Sequence, residues 1–417
     1  MPAAAPLPRY PSVLTLDGVS GLLTGPGCPV CRYVGEASDR YLTWFGLEGH
    51  SDAAAIHRLA GSLGMCARHT RRLMSQPGAA VRLTAVYQYI LRAARETLAG
   101  RTAPVTACPM CEHAAAAASR ALDTLLDGLD DEFVRLRCRE LGGLCVPHLN
   151  AASTSGRRDT IAWLTETMTA TLIRHSPPLE WLAGDTDHDS DMRAVLRRSM
   201  PVRSLPGSYV CAACLAGARA ESACIIRVVH LSREGLPADH ELLLCASHLA
   251  DAATLAERGA PLALLLAWQA SGHITTKVGR SGLSSRAKSP SALSRIRPSR
   301  RRSPECAACR TKGAASQRAI DEFRQILRDD QPPLGRLATL CVRHVLSLRA
   351  VDPWAAQMIV RGVVDRADML LDELAEAFRK NTWAHRHEAG GAERTAWRRA
   401  AAFLDGTVFC GNPPHQP

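Results

Sequence analysis

Cys28-Pro-Val-Cys31 and, after 34 intervening residues, Cys66-Ala-Arg-His69 are the stretches that decide how this chain folds. The alternation of CxxC and CxxH then returns three times. Cys108-Pro-Met-Cys111 leads to Cys145-Val-Pro-His148 after 33 residues. Cys211-Ala-Ala-Cys214 leads to Cys245-Ala-Ser-His248 after 30, and Cys306-Ala-Ala-Cys309 to Cys341-Val-Arg-His344 after 31. Twelve of the fifteen cysteines are used in this way, which leaves Cys138, Cys224 and Cys410 to act as small buried hydrophobes. A CxxC-to-CxxH unit of near-constant spacing that occurs four times is the signature of a modular architecture.

The residue types in these pairs point to metal. Zinc takes four ligands in a tetrahedron, and closed structural sites are built from cysteine and histidine. CxxC places two sulfurs together. In CxxH the two side chains stand three residues apart, so at a helix start they share one face. Three thiolates and a neutral imidazole around Zn²⁺ leave a net charge of about −1. A helix N-terminus beside the cysteine would favour the thiolate. Arg32, Arg68, Arg310 and Arg343, next to or inside the motifs, are candidates to offset the charge. The expected cofactor is zinc, about four ions per chain, with an iron–sulfur cluster as the alternative that Cys₃His ligation also permits. The near-constant spacing favours closure of each CxxC with the CxxH of its own module, and pairing between neighbours is the alternative.

Around the motifs the sequence reads as helix. Alanine, leucine and arginine dominate, aromatics are 5%, and valine and isoleucine rarely alternate. Each CxxH is preceded by an apolar residue (Met65, Leu144, Leu244 and Leu340) and followed by a helical stretch. Leu83, Val86, Tyr87, Ile90, Leu91, Ala94 and Leu98 form one apolar stripe at helical spacing. Ile359, Val363, Ala367, Leu370, Leu374 and Phe378 form another, Ala114–Leu129 is a further helical segment, and a tail helix is expected around Glu393–Leu404. The fold class is therefore all-α, as four tandem zinc-binding modules arranged in two halves. Modules are expected at 1–100, 101–176, 207–276 and 304–417, separated by an acidic, proline-flanked connector at 177–206 and a basic linker at 277–303.

The charge supports that division. The chain of 417 residues carries +11. Lys277, Arg280, Arg286, Lys288, Arg295, Arg297, Arg300, Arg301 and Arg302 supply nine of these charges within 277–303, with no acid among them. That segment lacks interleaved aromatics and is expected to be a solvated tether, with weak contact to nucleic acid or an acidic partner as the alternative. The folded body is not a basic nucleic-acid surface by composition.

Other motifs exclude more than they offer. Asp185-Thr-Asp187-His-Asp189-Ser-Asp191 resembles the start of a calcium loop, but Ser190 and Leu196 replace its glycine and bidentate glutamate. His385-Arg-His387-Glu388 is a further metal candidate. Gly21–Gly27 lacks the GK[ST] of a P-loop, and no HExxH, GxSxG or dinucleotide fingerprint occurs. No apolar run is long enough to span a membrane, and the N-terminal MPAAAPLPRYPSVL has no signal-peptide pattern. A cytoplasmic protein is the expectation, where paired reduced cysteines bind metal rather than form disulfides.

At Cys28-Pro-Val-Cys31-Arg-Tyr, Gly64-Met-Cys66-Ala-Arg-His69-Thr and Thr395-Ala-Trp397-Arg-Arg-Ala, the chain resembles a family of bacterial proteins with repeated CPxC and CxxH motifs and no established activity. The third and fourth modules lack the CPxC proline. The resemblance implies zinc-binding repeats and a helical fold, and no reaction. Three functional readings follow: a scaffold for an unidentified protein partner, a metalloenzyme of a specialised bacterial pathway, and a zinc–thiolate redox sensor.

Overall fold

The computed structural model describes residues 13–25, 27–74, 76, 79–100, 105–153, 157–175, 211–233, 244, 248, 252, 306–329 and 340–406. Cys245, Cys410, the connector 177–206 with its calcium-like stretch, and the basic segment 277–303 lie outside these residues.

All regular structure among the described residues is helical. In the first half the helices are α1 (Val13–Leu22), α2 (Pro29–Trp44), α3 (Ala53–Gly61), α4 (Ala67–Met74), α5 (Ala79–Leu98), α6 (Pro109–Gly128), α7 (Glu132–Glu140), α8 (Val146–Ala152) and α9 (Arg158–His175). The second half contributes α10 (Ala212–Arg233), α11 (Ala307–Asp329), α12 (Val342–Val351), α13 (Pro353–Lys380) and α14 (Ala396–Asp405). Among the described residues each CxxC opens a long helix, and the first, second and fourth CxxH each open a short helix followed by a longer one. Thus α4 and α5 follow Cys66, α8 and α9 follow Cys145, and α12 and α13 follow Cys341.

Local chemistry explains where helices begin. Asp52, Asp131 and Asp352 cap α3, α7 and α13, their carboxylates accepting from the backbone N–H of Ala55, Val134 and Ala355. Pro353 follows the Asp352 cap, where its missing N–H is not needed. The turns entering the first two CxxH pairs require left-handed backbone. Gly64 has φ +90°, and Gly143, at the same place before Cys145, has φ +82°. Leu63 takes φ +52° where the second module has Gly142, so the first turn holds a fully buried leucine in a conformation that costs roughly 1 kcal/mol.

Two compact units are present. One comprises Met1–Ala37, Ala114–Met192 and Cys224–Cys309, and the other Ser38–His113, Arg193–Ala223 and Arg310–Pro417. In the first, Val19, Val30, Leu125, Leu126, Leu144 and Leu164 pack in a core that includes Cys28, Cys31, Cys138 and Cys145. Cys138 is fully buried, and burial pushes its thiol up to about 12. It behaves as the small hydrophobe expected. Cys224 departs from that expectation and is only partly buried, packed beside Ile225, Val229 and Cys306.

In the second unit α5 and α13 lie along each other, with α3, α12 and α14 packed against them. The whole expected stripe of α5, from Leu83 to Leu98, is buried. On α13, Ile359, Val363, Ala367, Leu370 and Leu374 are buried, but Phe378 is 52% exposed and Ala377 takes its place. The reason is the helical period. Steps of four, four, three and four residues keep a 3.6-residue repeat on one face, and the next step that stays there is three.

Candidate metal centres

Each fully described donor pair is held by the start of a helix. Cys145 and Cys341 are the residues capping α8 and α12, with extended backbone. Cys28, Cys66, Cys108 and Cys211 stand in the same relation to their helices, each carbonyl accepting from the N–H four residues on. The second ligand of each pair then falls in the first turn. At each of the three fully described centres two helix N-termini therefore point at one spot. Their dipoles favour negative charge, and thiolates are the negative groups present.

The pairs converge in a pattern that corrects the sequence expectation. Cys28 and Cys31 group with Cys145 and His148, not with Cys66 and His69. Cys66 and His69 group instead with Cys108 and Cys111. In the second half Cys211 and Cys214 group with Cys341 and His344, while His248 groups with Cys306 and Cys309. Pairing is nested within each half: the first CxxC closes with the last CxxH, and the two inner motifs close with each other. Cys245, the remaining expected ligand of the last group, is outside the described residues. The near-constant spacing fixes only the length of chain between a CxxC and its CxxH, not which helix starts meet, and the 16-residue α2 alone takes up about 24 Å of that length.

The distances suit a tetrahedral ion. A zinc–sulfur bond of 2.3 Å places sulfurs about 3.8 Å apart, and a sulfur about 3.6 Å from the nitrogen. Cys31 Sγ lies 3.5 Å from Cys145 Sγ, and His148 Nδ1 lies 3.5, 3.2 and 3.0 Å from the sulfurs of Cys28, Cys31 and Cys145. At the inner centre Cys66 and Cys111 sulfurs are 3.8 Å apart, and His69 Nδ1 is 3.3, 3.6 and 3.5 Å from Cys66, Cys108 and Cys111. Cys214 and Cys341 sulfurs are 3.8 Å apart, with His344 Nδ1 at 3.3, 3.3 and 3.2 Å from Cys211, Cys214 and Cys341. His248 Nδ1 lies 3.2 and 3.5 Å from Cys306 and Cys309. Nδ1 faces the sulfurs in all four, which assigns the ring proton to Nε2 if the nitrogen is to donate to a metal. No disulfide joins any of the thirteen described cysteines.

The electrostatics argue for a cation at these points. Hydrogen bonds from Cys111 and Cys66 pull the Cys108 thiol far below its usual value, while hydrogen bonding to that thiolate holds Cys111 protonated. Cys211 is lowered in the same way by Cys214 and Cys341, and Cys341 is raised in return. Burial opposes the Cys28 thiolate, but Cys145, Cys31 and His148 outweigh it, and Cys145 is raised by burial and by Cys28. Three sulfurs in contact cannot all be anions alone. A divalent cation would let all three deprotonate.

Two of the four motif arginines hold backbone carbonyls. Arg32 donates to the carbonyls of Gly25, at 2.5 Å, and Leu22. Arg343 donates to the Ser62 carbonyl at 3.0 Å. Both tie the ligand-bearing helices to neighbouring backbone. The candidate at His385 and Glu388 is an ion-pair cluster. His385 Nδ1 lies 2.9 Å from Glu388, whose carboxylate is held by Arg379.

Sequence reasoning missed the end of α14. Asp405 accepts from the Thr70 hydroxyl at 3.1 Å, and Thr70 directly follows His69. The Asp405 carbonyl lies 3.9 Å from Cys214 Sγ. Gly406, at φ +74°, passes so close to the same sulfur that an added Cβ would stand 2.0 Å from it. The signal available was a glycine directly after an apolar helical stretch, the usual helix stop.

No family model, curated protein or solved structure matches the chain. No described helix is long and apolar enough to cross a membrane.

Proposed function

We propose that this chain is a cytoplasmic zinc-stabilised helical repeat protein that serves as a scaffold for a protein partner. Its four Cys₃His centres are structural in this reading, about four zinc ions per chain, with Cys245 completing the last. The modules at 1–100, 101–176, 207–276 and 304–417 are the repeating units, and the resemblance to bacterial CPxC–CxxH proteins fits that role.

The observation that carries the proposal is the closed donor set. Each of the three fully described centres brings three sulfurs and one imidazole nitrogen within 4.8 Å of one another. A catalytic zinc keeps a position open for water or substrate, and four protein donors leave none. The donor chemistry selects zinc over magnesium or calcium, which prefer oxygen.

X-ray absorption at the zinc edge, with metal analysis of the pure protein, tests this. The expected shell is three sulfurs and one nitrogen, with no oxygen. An oxygen donor in the shell would favour a metalloenzyme, and an iron signal would replace zinc with a cluster.

A further inference from the structure

The centres share one chemistry but not one environment. At the outer centre of the first half, Cys28, Cys31 and Cys145 are 4%, 2% and 0% exposed. At the inner centre Cys108 is buried, Cys66 is partly buried and Cys111 is exposed. Reactivity of a thiolate follows its ionisation and its access to reagent. A metal holds the sulfurs of both centres as thiolates, so access is what separates them. Cys309 occupies the corresponding position in the inner group of the second half and is exposed as well.

We propose that Cys111 is a modification site: the point at which a peroxide unloads the Cys66–His69–Cys108–Cys111 centre while the Cys28–Cys31–Cys145–His148 centre stays loaded. The inference rests on the metal-binding reading above. It also needs a partner for the oxidised sulfur, and Cys66 Sγ stands 3.8 Å away. The Cys111 thiolate attacks one peroxide oxygen. The O–O bond breaks, leaving a sulfenic acid on Cys111 and releasing hydroxide. The Cys66 thiolate then attacks the sulfenic sulfur, a second hydroxide leaves, and an S–S bond forms. Two thiolates supply two electrons, and one peroxide becomes two hydroxides. The centre is left with Cys108 and His69, too few donors to retain an ion tightly. Loss of that ion frees the two helix starts it joined, α4 and α6.

The test uses the full-length, metal-loaded protein. Hydrogen peroxide is added stepwise, released zinc is read with a chromogenic chelator, and each cysteine is mapped by peptide mass spectrometry. Cys111 is expected to oxidise about ten-fold ahead of Cys28, Cys31 and Cys145, in a disulfide with Cys66, with one zinc released per Cys111 consumed. Labelling with an uncharged maleimide should follow the same order without any oxidation. Oxidation of all four in step, or zinc release with Cys111 still reduced, would overturn the proposal. A preparation that holds no zinc at all would instead overturn the metal reading beneath it.

Discussion

Cys31 Sγ and Cys145 Sγ lie 3.5 Å apart although 114 residues separate them in the chain. An ion held there would tie α2 to α8. A structural zinc contributes on the order of 10 kcal/mol to folding a small unit. Strong chelation under reducing conditions should therefore lower the melting temperature and the helical circular dichroism together. Unchanged melting after the metal is removed would show that the helices hold without it.

Gly406 and Gly362 form an opposed pair. Gly406→Ala places a methyl 2.0 Å from Cys214 Sγ at φ +74°, so it should cost more than about 1 kcal/mol and weaken retention of metal by Cys211, Cys214, Cys341 and His344. Gly362 sits inside α13 with nothing within 4 Å of an added Cβ, so Gly362→Ala should stabilise by about 0.5–1 kcal/mol. Thermal unfolding and metal retention of the two variants check both signs. Equal effects would mean that the end of α14 does not seal the centre.

Phe403 is fully buried on α14, which packs on α5 and α13. Phe403→Ala should cost about 3–5 kcal/mol by denaturant titration. A loss under about 1 kcal/mol would mean that α14 is not part of the folded core.

Asp352 carries a pH dependence of known sign. Its carboxylate caps Ala355 N–H and is paired with Arg324 at 3.2 Å and Arg328 at 2.7 Å, which together hold it below the usual carboxyl range. A group depressed on folding stabilises above its unfolded value, about 3.9, and that stability is lost as pH falls through the folded value. Asp352→Asn should be less stable than the parent at neutral pH, and the gap should close in acid. Asp352→Ala, which also removes the cap, should lose more. A gap that persists unchanged at low pH would assign the effect to packing.

How far the sequence could be read follows from these residues. The candidate donors were legible because CxxC and CxxH are local: both members of a pair fall in one helical turn, so spacing alone fixes their common face. Helix order was legible from the stripe of Leu83 to Leu98. The pairing was not, because near-constant spacing along the chain does not say which helix starts meet in space. Nor was the cap of α14, since Asp405 reaches Thr70 across 335 residues and only tertiary packing brings them together. Phe378 failed for a smaller reason, a stripe extended by four residues where the helical period called for three.

Counting metal in paired variants tests the nested connection most directly. Each variant is dialysed against a mild chelator and its retained zinc is measured per chain. If Cys28 and His148 serve one ion, Cys28→Ser and the double variant Cys28→Ser with His148→Ala should each lose about one, while Cys28→Ser with His69→Ala should lose about two. Loss of about two in the first double variant and about one in the second would contradict the account and return each CxxC to the CxxH of its own module.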